Sequence, residues 1–197
     1  MEFFPRADLL CPLPGSTLLL PGPSAGNVGQ LAIDVLICSL GATCVGQLED
    51  VSVLPLAAWI QQSGFRQVVL LGSLEGRERR DGQLADLRTR FFASSPSLAA
   101  DCPRLEDPQK EEKPYIERLA GPWPLIRQVS ALQLPLLAFL QWVSEGDNSR
   151  DALEVAEAAA GYLRLPMLGA APAQHRQWKL PPSWQSVYGR GASMDVY

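Results

Sequence analysis

The strongest suggestion of chemistry in the chain is the turn Gly22-Pro23-Ser24-Ala25-Gly26-Asn27-Val28-Gly29. It follows a short apolar run and opens a helical pattern, and free main-chain amides at a helix start attract anions such as phosphate. The turn does not have GxGxxG spacing, and no Lys-Ser or Lys-Thr follows it as in a P-loop, so the contacts that define a dinucleotide or triphosphate site are missing. The same glycines also suit a helix packed close against a strand, which is the preferred reading. A second pair, Glu145 and Asp147, could hold Mg²⁺ or divide acid and base roles. No third ligand lies nearby in sequence, and Asp147 or the adjacent Asn148 equally suits a helix cap.

Nucleophilic catalysis has less support. Cys11, Cys38, Cys44 and Cys102 show no CxxC pair or regular spacing, which argues against zinc and redox motifs. The single histidine, His175, stands in a polar, proline-containing segment near the C-terminus, so a Cys–His or Ser–His pair would rest on one unsupported contact. No metal and no cofactor is called for.

The elements that must position these residues read as α/β. Thr17 to Leu20 is expected to be a fully buried strand, ended by Pro21, Gly22 and Pro23. Asn27 is expected to cap the next helix, with Val28, Leu31, Ala32, Val35, Leu36 and Ser39 on one face and Gly41 closing it. Residues 1–16 read as an irregular lead in which Phe3 and Phe4 pack somewhere. Thr43 to Leu48 suggests a second strand, and Leu56, Ala57, Trp59 and Ile60 a short helix that stops at Gly64. Val68 to Leu71, β-branched and apolar, is the clearest buried strand.

Residues 75–90 change to alternating charge and read as a solvated loop rather than a basic patch. Arg90 to Ser94 suggests a strand, and residues 95–114 a long exposed segment. A helix is expected from Gly121–Pro124 through Leu132. The run LPLLAFLQWV suits a buried strand or a buried helix; Pro135 and the abrupt SEGDN favour a strand of about eight residues. Asp147, Asn148 and Ser149 then offer caps for a last helix with Ala152, Leu153, Ala156, Ala160 and Leu163 on its packing face, ended before Pro166. The division expected is an α/β domain over 1–164 and a tail over 165–197 that is rich in proline and aromatics.

At 197 residues with 47% hydrophobic side chains, the chain is long enough to bury one core. A net charge of −4 offers no electrostatic reason to approach nucleic acid or an acidic membrane surface. The N-terminal residues lack signal-peptide character, and no apolar run approaches the roughly 20 residues that span a bilayer. A soluble intracellular protein is expected, with neither nucleic acid nor membrane as partner.

Three segments, in order, resemble the proteasome assembly chaperone 2 family: LLLPGPSAGNVGQLAIDVLICSL at 18–40, FLQWVSEGDNSRDALEVAE at 139–157 and QWKLPPSWQSVYGRG at 177–191. The strings GNVGQLA, VSEGDN and WKLPPSW are not generic nucleotide or metal motifs, and WIQQSGFRQVVLLGS is also similar. The resemblance implies a three-layer α/β/α domain with a central, largely parallel sheet, an extended C-terminal tail and a non-catalytic role. It further implies a heterodimer with proteasome assembly chaperone 1, binding to proteasome α subunits, promotion of α-ring assembly, suppression of off-pathway ring dimers, and a cytoplasmic and nuclear location.

Candidate contacts with these partners are Asn27, Glu145, Asp147, Trp178, Trp184, Tyr188, Val196 and Tyr197. In related chaperones a C-terminal hydrophobic-Tyr-any motif enters a pocket between α subunits, where an apolar residue, an aromatic ring and a carboxylate meet a cationic groove. Here the tyrosine is the last residue given, after Met194-Asp195-Val196, which is a variant of that order. A second departure falls between Asp50 and Leu56, where the family has a longer stretch with an additional strand and helix. The alternative is a nucleoside- or phosphate-binding α/β enzyme using the Gly22–Gly29 turn.

Overall fold

The computed structural model describes residues 2–7, 13–49, 53–78, 89–95, 98, 121–165 and 178–186. Its centre is a four-stranded sheet in the order β2 (Thr17–Pro21), β4 (Gln67–Glu75), β6 (Leu136–Val143), β5 (Thr89–Ala93). The first three strands are parallel, and β5 is antiparallel to β6. Helices α1 (Val28–Leu40) and α4 (Ser149–Leu163) cover one face, while α2 (Val53–Gln62) and α3 (Trp123–Ala131) cover the other.

This layering follows from strand alternation. Side chains along a strand point to opposite faces in turn, so a strand covered on both sides is apolar throughout. On β4, Val69 and Leu71 join the α1/α4 core while Val68 and Leu70 join the α2/α3 core. On β6, Leu137 and Phe139 take the first side, and Leu136, Ala138 and Leu140 the second. The ambiguous run at 134–143 is therefore a strand, as Pro135 and SEGDN suggested. Burying each such aliphatic side chain contributes roughly 1.5–3 kcal/mol.

The expected face of α1 is buried at all six positions, and Gly41 adopts the left-handed cap with φ 63°. The expected short helix forms as α2, with Leu56, Ala57 and Ile60 buried. On α4, Val155 and Ala159 are buried beside Ala152, Ala156 and Ala160.

Four expectations are corrected. β2 is half-buried rather than sealed, because it lies at the sheet's edge. Residues 2–5 are not irregular: β1 (Glu2–Pro5) pairs antiparallel with β3 (Gly46–Glu49) in a separate two-stranded sheet. The second strand thus stands outside the central sheet, and Phe3 packs on Trp59 of α2 with ring centroids 6.2 Å apart. Asn27 does not cap α1 through its side chain; its own backbone is left-handed at φ 54°. Asn148 at the start of α4 likewise makes no side-chain cap.

Candidate functional site

Because β2, β4 and β6 are parallel, the turns that leave them gather at one end of the sheet, where α/β proteins commonly place a site. The turn after β2 is tied to β4 by Ser73, whose Oγ donates to the Ala25 carbonyl at 2.6 Å. Gly76, just beyond β4, lies against the Val143 carbonyl at the end of β6. The turn after β6 returns to the first one, with Asn148 seated on Gly26.

Beside these turns lies a cleft of about 390 Å³ between Pro23, Ser24, Leu74, Pro122 and Trp123. At its rim Arg77 Nε faces Glu75 Oε2 at 3.5 Å, an exposed pair in which the arginine side chain is 82% exposed. Surface pairs of this kind contribute little.

The polar groups around the helix start are largely committed to the chain itself. Ser24 Oγ accepts the Gly29 N–H at 3.2 Å, and the Val28 N–H is directed to the Ala25 carbonyl. Two amides that an anion would use are thus occupied by the turn. Gly29 explains itself sterically: a Cβ there would stand 2.2 Å from the Leu71 carbonyl and 3.2 Å from that of Gly22. The glycine lets α1 begin directly against the ends of β2 and β4.

Asn27, Glu145 and Asp147 are all exposed at this end of the sheet. Asp147 Oδ1 accepts both the N–H of Ser149 at 2.9 Å and its Oγ–H at 2.6 Å. The hydroxyl bond first, then the amide bond, holds its carboxyl below the usual aspartate range. Asp147 therefore organises the start of α4. Among the described residues no group of three His, Cys, Asp or Glu side chains could hold a metal.

Trp178 and Trp184 pack on the core that α1 covers. Trp184 is only 8% exposed and joins the α1/α4 core; its Nε1 donates to Asp34 Oδ2 at 3.3 Å. The Lys179 N–H donates to Ser39 Oγ at 3.0 Å, and Trp178 packs half-buried on the same core. Segment 178–186 is thus docked on α1 through Lys179 and Trp184. Tyr188, Val196 and Tyr197 lie outside the described residues.

Sequence reasoning passed over four polar groups. Ser24 was hidden inside a turn read for its glycines. Asp34 and Ser39 showed no pattern beyond helical spacing. Gln141 had a signal, being polar in the run FLQWV; it is 0% exposed. Its Nε2 donates to Asp151 Oδ1 at 3.2 Å and to Glu154 Oε2 at 2.7 Å, and Thr89 Oγ1 bonds its Oε1.

No family model matches the chain. Comparison with solved structures shows the fold: the chain shares the layered architecture of Pyrococcus furiosus PbaA, described as an archaeal homolog of proteasome-assembly chaperone. The TM-score is 0.57 at 15% identity, covering 81% of this chain and 86% of that one. At the level of sequence the chain is similar to proteins named proteasome assembly chaperone 2 over nearly its whole length. It is 25% identical to the Danio rerio protein over 271 positions, covering 96% of this chain and 97% of that one. It is 26% identical to the Bos taurus protein over 257 positions, with the same coverage.

The first of these alignments spans 271 positions against the 197 residues of this chain, so at least 74 positions have no counterpart here and fall between the aligned ends. The family resemblance read from the sequence is upheld, and this chain is shorter than the Danio rerio protein between the aligned ends. In the structure, only residues 50–52 separate β3 from α2.

Proposed function

We propose that this chain is a proteasome assembly chaperone of the second type: it pairs with proteasome assembly chaperone 1 and binds α subunits of the core particle. In that role the pair promotes α-ring assembly, suppresses off-pathway ring dimers, and works without catalysis in cytoplasm and nucleus. The observation that carries the reading is the resemblance to proteasome assembly chaperone 2 across 96% of the chain.

The strand-end surface supports it physically. Exposed Asn27, Glu145 and Asp147 stand on turns braced by the chain's own hydrogen bonds, so the surface is preorganised and little ordering cost accompanies association. Segment 178–186, held on α1 by Trp184, gives Tyr188 and the Val196-Tyr197 end a fixed root from which to reach a pocket on an α subunit.

Co-expression with proteasome assembly chaperone 1, followed by size-exclusion chromatography, tests the pairing. Joint elution is expected, and separate elution of the two proteins counts against it. Removing Val196 and Tyr197 is expected to weaken α-ring binding, and an unchanged affinity sinks the tail-docking role.

One observation favours the second reading, a nucleoside- or phosphate-binding enzyme: the cleft beside Ser24 and Trp123. A thermal-shift screen with nucleosides and phosphate compounds decides it, and no response removes its support.

A further inference from the structure

The sheet's two inner strands are sealed, whereas every residue of β2 is half-buried. The parallel ladder determines which of its main-chain groups face outward. The Gly22 N–H donates to the Leu71 carbonyl at 2.7 Å, and the register runs from Thr17 opposite Gln67 to Pro21 opposite Leu71. Alternation then turns the main-chain groups of Leu18 and Leu20 towards β4 and those of Thr17, Leu19 and Pro21 away from the sheet. Among the described residues nothing bonds the outward N–H and C=O of Thr17 or Leu19. Thr17 is engaged only through its side chain, where Oγ1 accepts Arg66 Nε at 3.2 Å.

We propose that this edge is a self-association surface, on which β2 of a second copy of the chain pairs antiparallel about a two-fold axis at Leu19. A row of alternating donors and acceptors is complemented by another extended backbone. Leu19 presents both its N–H and its C=O, so it can exchange two hydrogen bonds with Leu19 of the second copy, as the bonded pairs of an antiparallel ladder do. The Thr17 N–H then meets the Pro21 carbonyl across the axis. Pro21 has no N–H to return, and it ends the ladder there.

The side chains obey the same symmetry. In this register Leu18 stands opposite Leu20 of the other copy and Leu20 opposite Leu18, so the central cross-strand pairs are all Leu–Leu. β2 carries no charged residue to oppose the contact. The two-fold arrangement uses each edge once and closes at a dimer, joining two four-stranded sheets into one.

The longer relatives bear on why this edge is open. The Danio rerio protein carries at least 74 internal positions that this chain lacks. Here the chain passes from β3 to α2 through residues 50–52 alone, which leaves no room for a further strand in that connection.

The test uses the full chain by itself. Sedimentation equilibrium over the micromolar range is expected to give twice the chain mass. Residue-resolved hydrogen exchange is expected to show the Thr17 and Leu19 amides protected in proportion to the dimer fraction. Thr17→Pro removes an outward donor while leaving the β4 ladder intact, and should raise the dimer dissociation constant by about tenfold or more without changing the monomer's circular dichroism. Leu19→Pro should abolish the dimer; if that variant does not fold, Thr17→Pro and the exchange rates still decide. A monomer at every concentration, protection of these amides in the monomer, open-ended polymers, or an unaltered Thr17→Pro dimer would each overturn the proposal.

Discussion

Gly26 and Asn148, far apart in sequence, compete for one space: a Cβ on Gly26 would stand 2.0 Å from Asn148 Nδ2 and 2.8 Å from its Cγ. Asn148 is buried there and donates from Nδ2 to the Gly146 carbonyl at 3.1 Å. The contact locks the turn after β2 to the turn after β6, and so fixes the relative positions of Asn27 and Asp147. Gly26 also has φ 58°, a conformation that strains any residue with a Cβ.

Gly26→Ala is therefore expected to cost roughly 3 kcal/mol, the sum of left-handed strain and a steric clash. Combining it with Asn148→Ala should recover part of that loss, because the clash goes while the strain stays. Urea denaturation of the two single variants and the double variant measures the coupling. Strict additivity would show that the two turns do not touch.

At Gly29 the neighbour is backbone, which cannot swing aside. Gly29→Ala should cost about 3 kcal/mol or more, since α1 must shift off the Leu71 carbonyl. Gly41→Ala, with open space around it and φ 63°, should cost only about 1 kcal/mol. Thermal melts that rank the two in the opposite order would contradict close packing as the role of Gly29.

Trp184 fastens segment 178–186 to α1. Trp184→Ala is expected to lose about 3 kcal/mol through the cavity it leaves, and Trp184→Phe about 1 kcal/mol by giving up the bond to Asp34. Proteolysis near residue 178 should accelerate in the alanine variant. An unchanged cleavage rate would mean that the segment is held elsewhere.

Gln141→Leu keeps the bulk and removes the donor shared by Asp151 and Glu154. The expected cost is roughly 1–3 kcal/mol, because Asp151 is buried. Chemical denaturation checks this, and a neutral or stabilised variant would show that the network is dispensable.

Asp147 supplies a pH-dependent contribution. Its carboxyl titrates below the usual aspartate value because Ser149 donates to it from Oγ and from N. A depressed folded-state pKa adds stability above the unfolded value, and that stability is lost as pH falls through the folded one. Asp147→Ala should cost about 0.5 kcal/mol at neutral pH, the low end for an exposed cap, and nothing measurable once the wild-type carboxyl is protonated. An identical difference at neutral and strongly acidic pH would assign the loss to something other than charge.

What was legible in the sequence was whatever repeats at short range. The apolar face of α1 and the two-sided burial of Val68 to Leu71 follow from local apolar pattern, and the strand at 136–143 from the residues that bound it, Pro135 and SEGDN. The family was legible too, because GNVGQLA, VSEGDN and WKLPPSW are long, unusual strings. Tertiary contacts decided the rest. Whether β2 sits inside the sheet or at its edge depends on which strands lie beside it, and its own residues carry no record of that. The partners of Gly26, Gly29, Ser39 and Gln141 lie on other elements, so their roles appear only once those elements meet. Local pattern sufficed for the layers and the lineage, while the closed helix start, the docked tryptophan segment and the open β2 edge came from packing between residues distant in sequence.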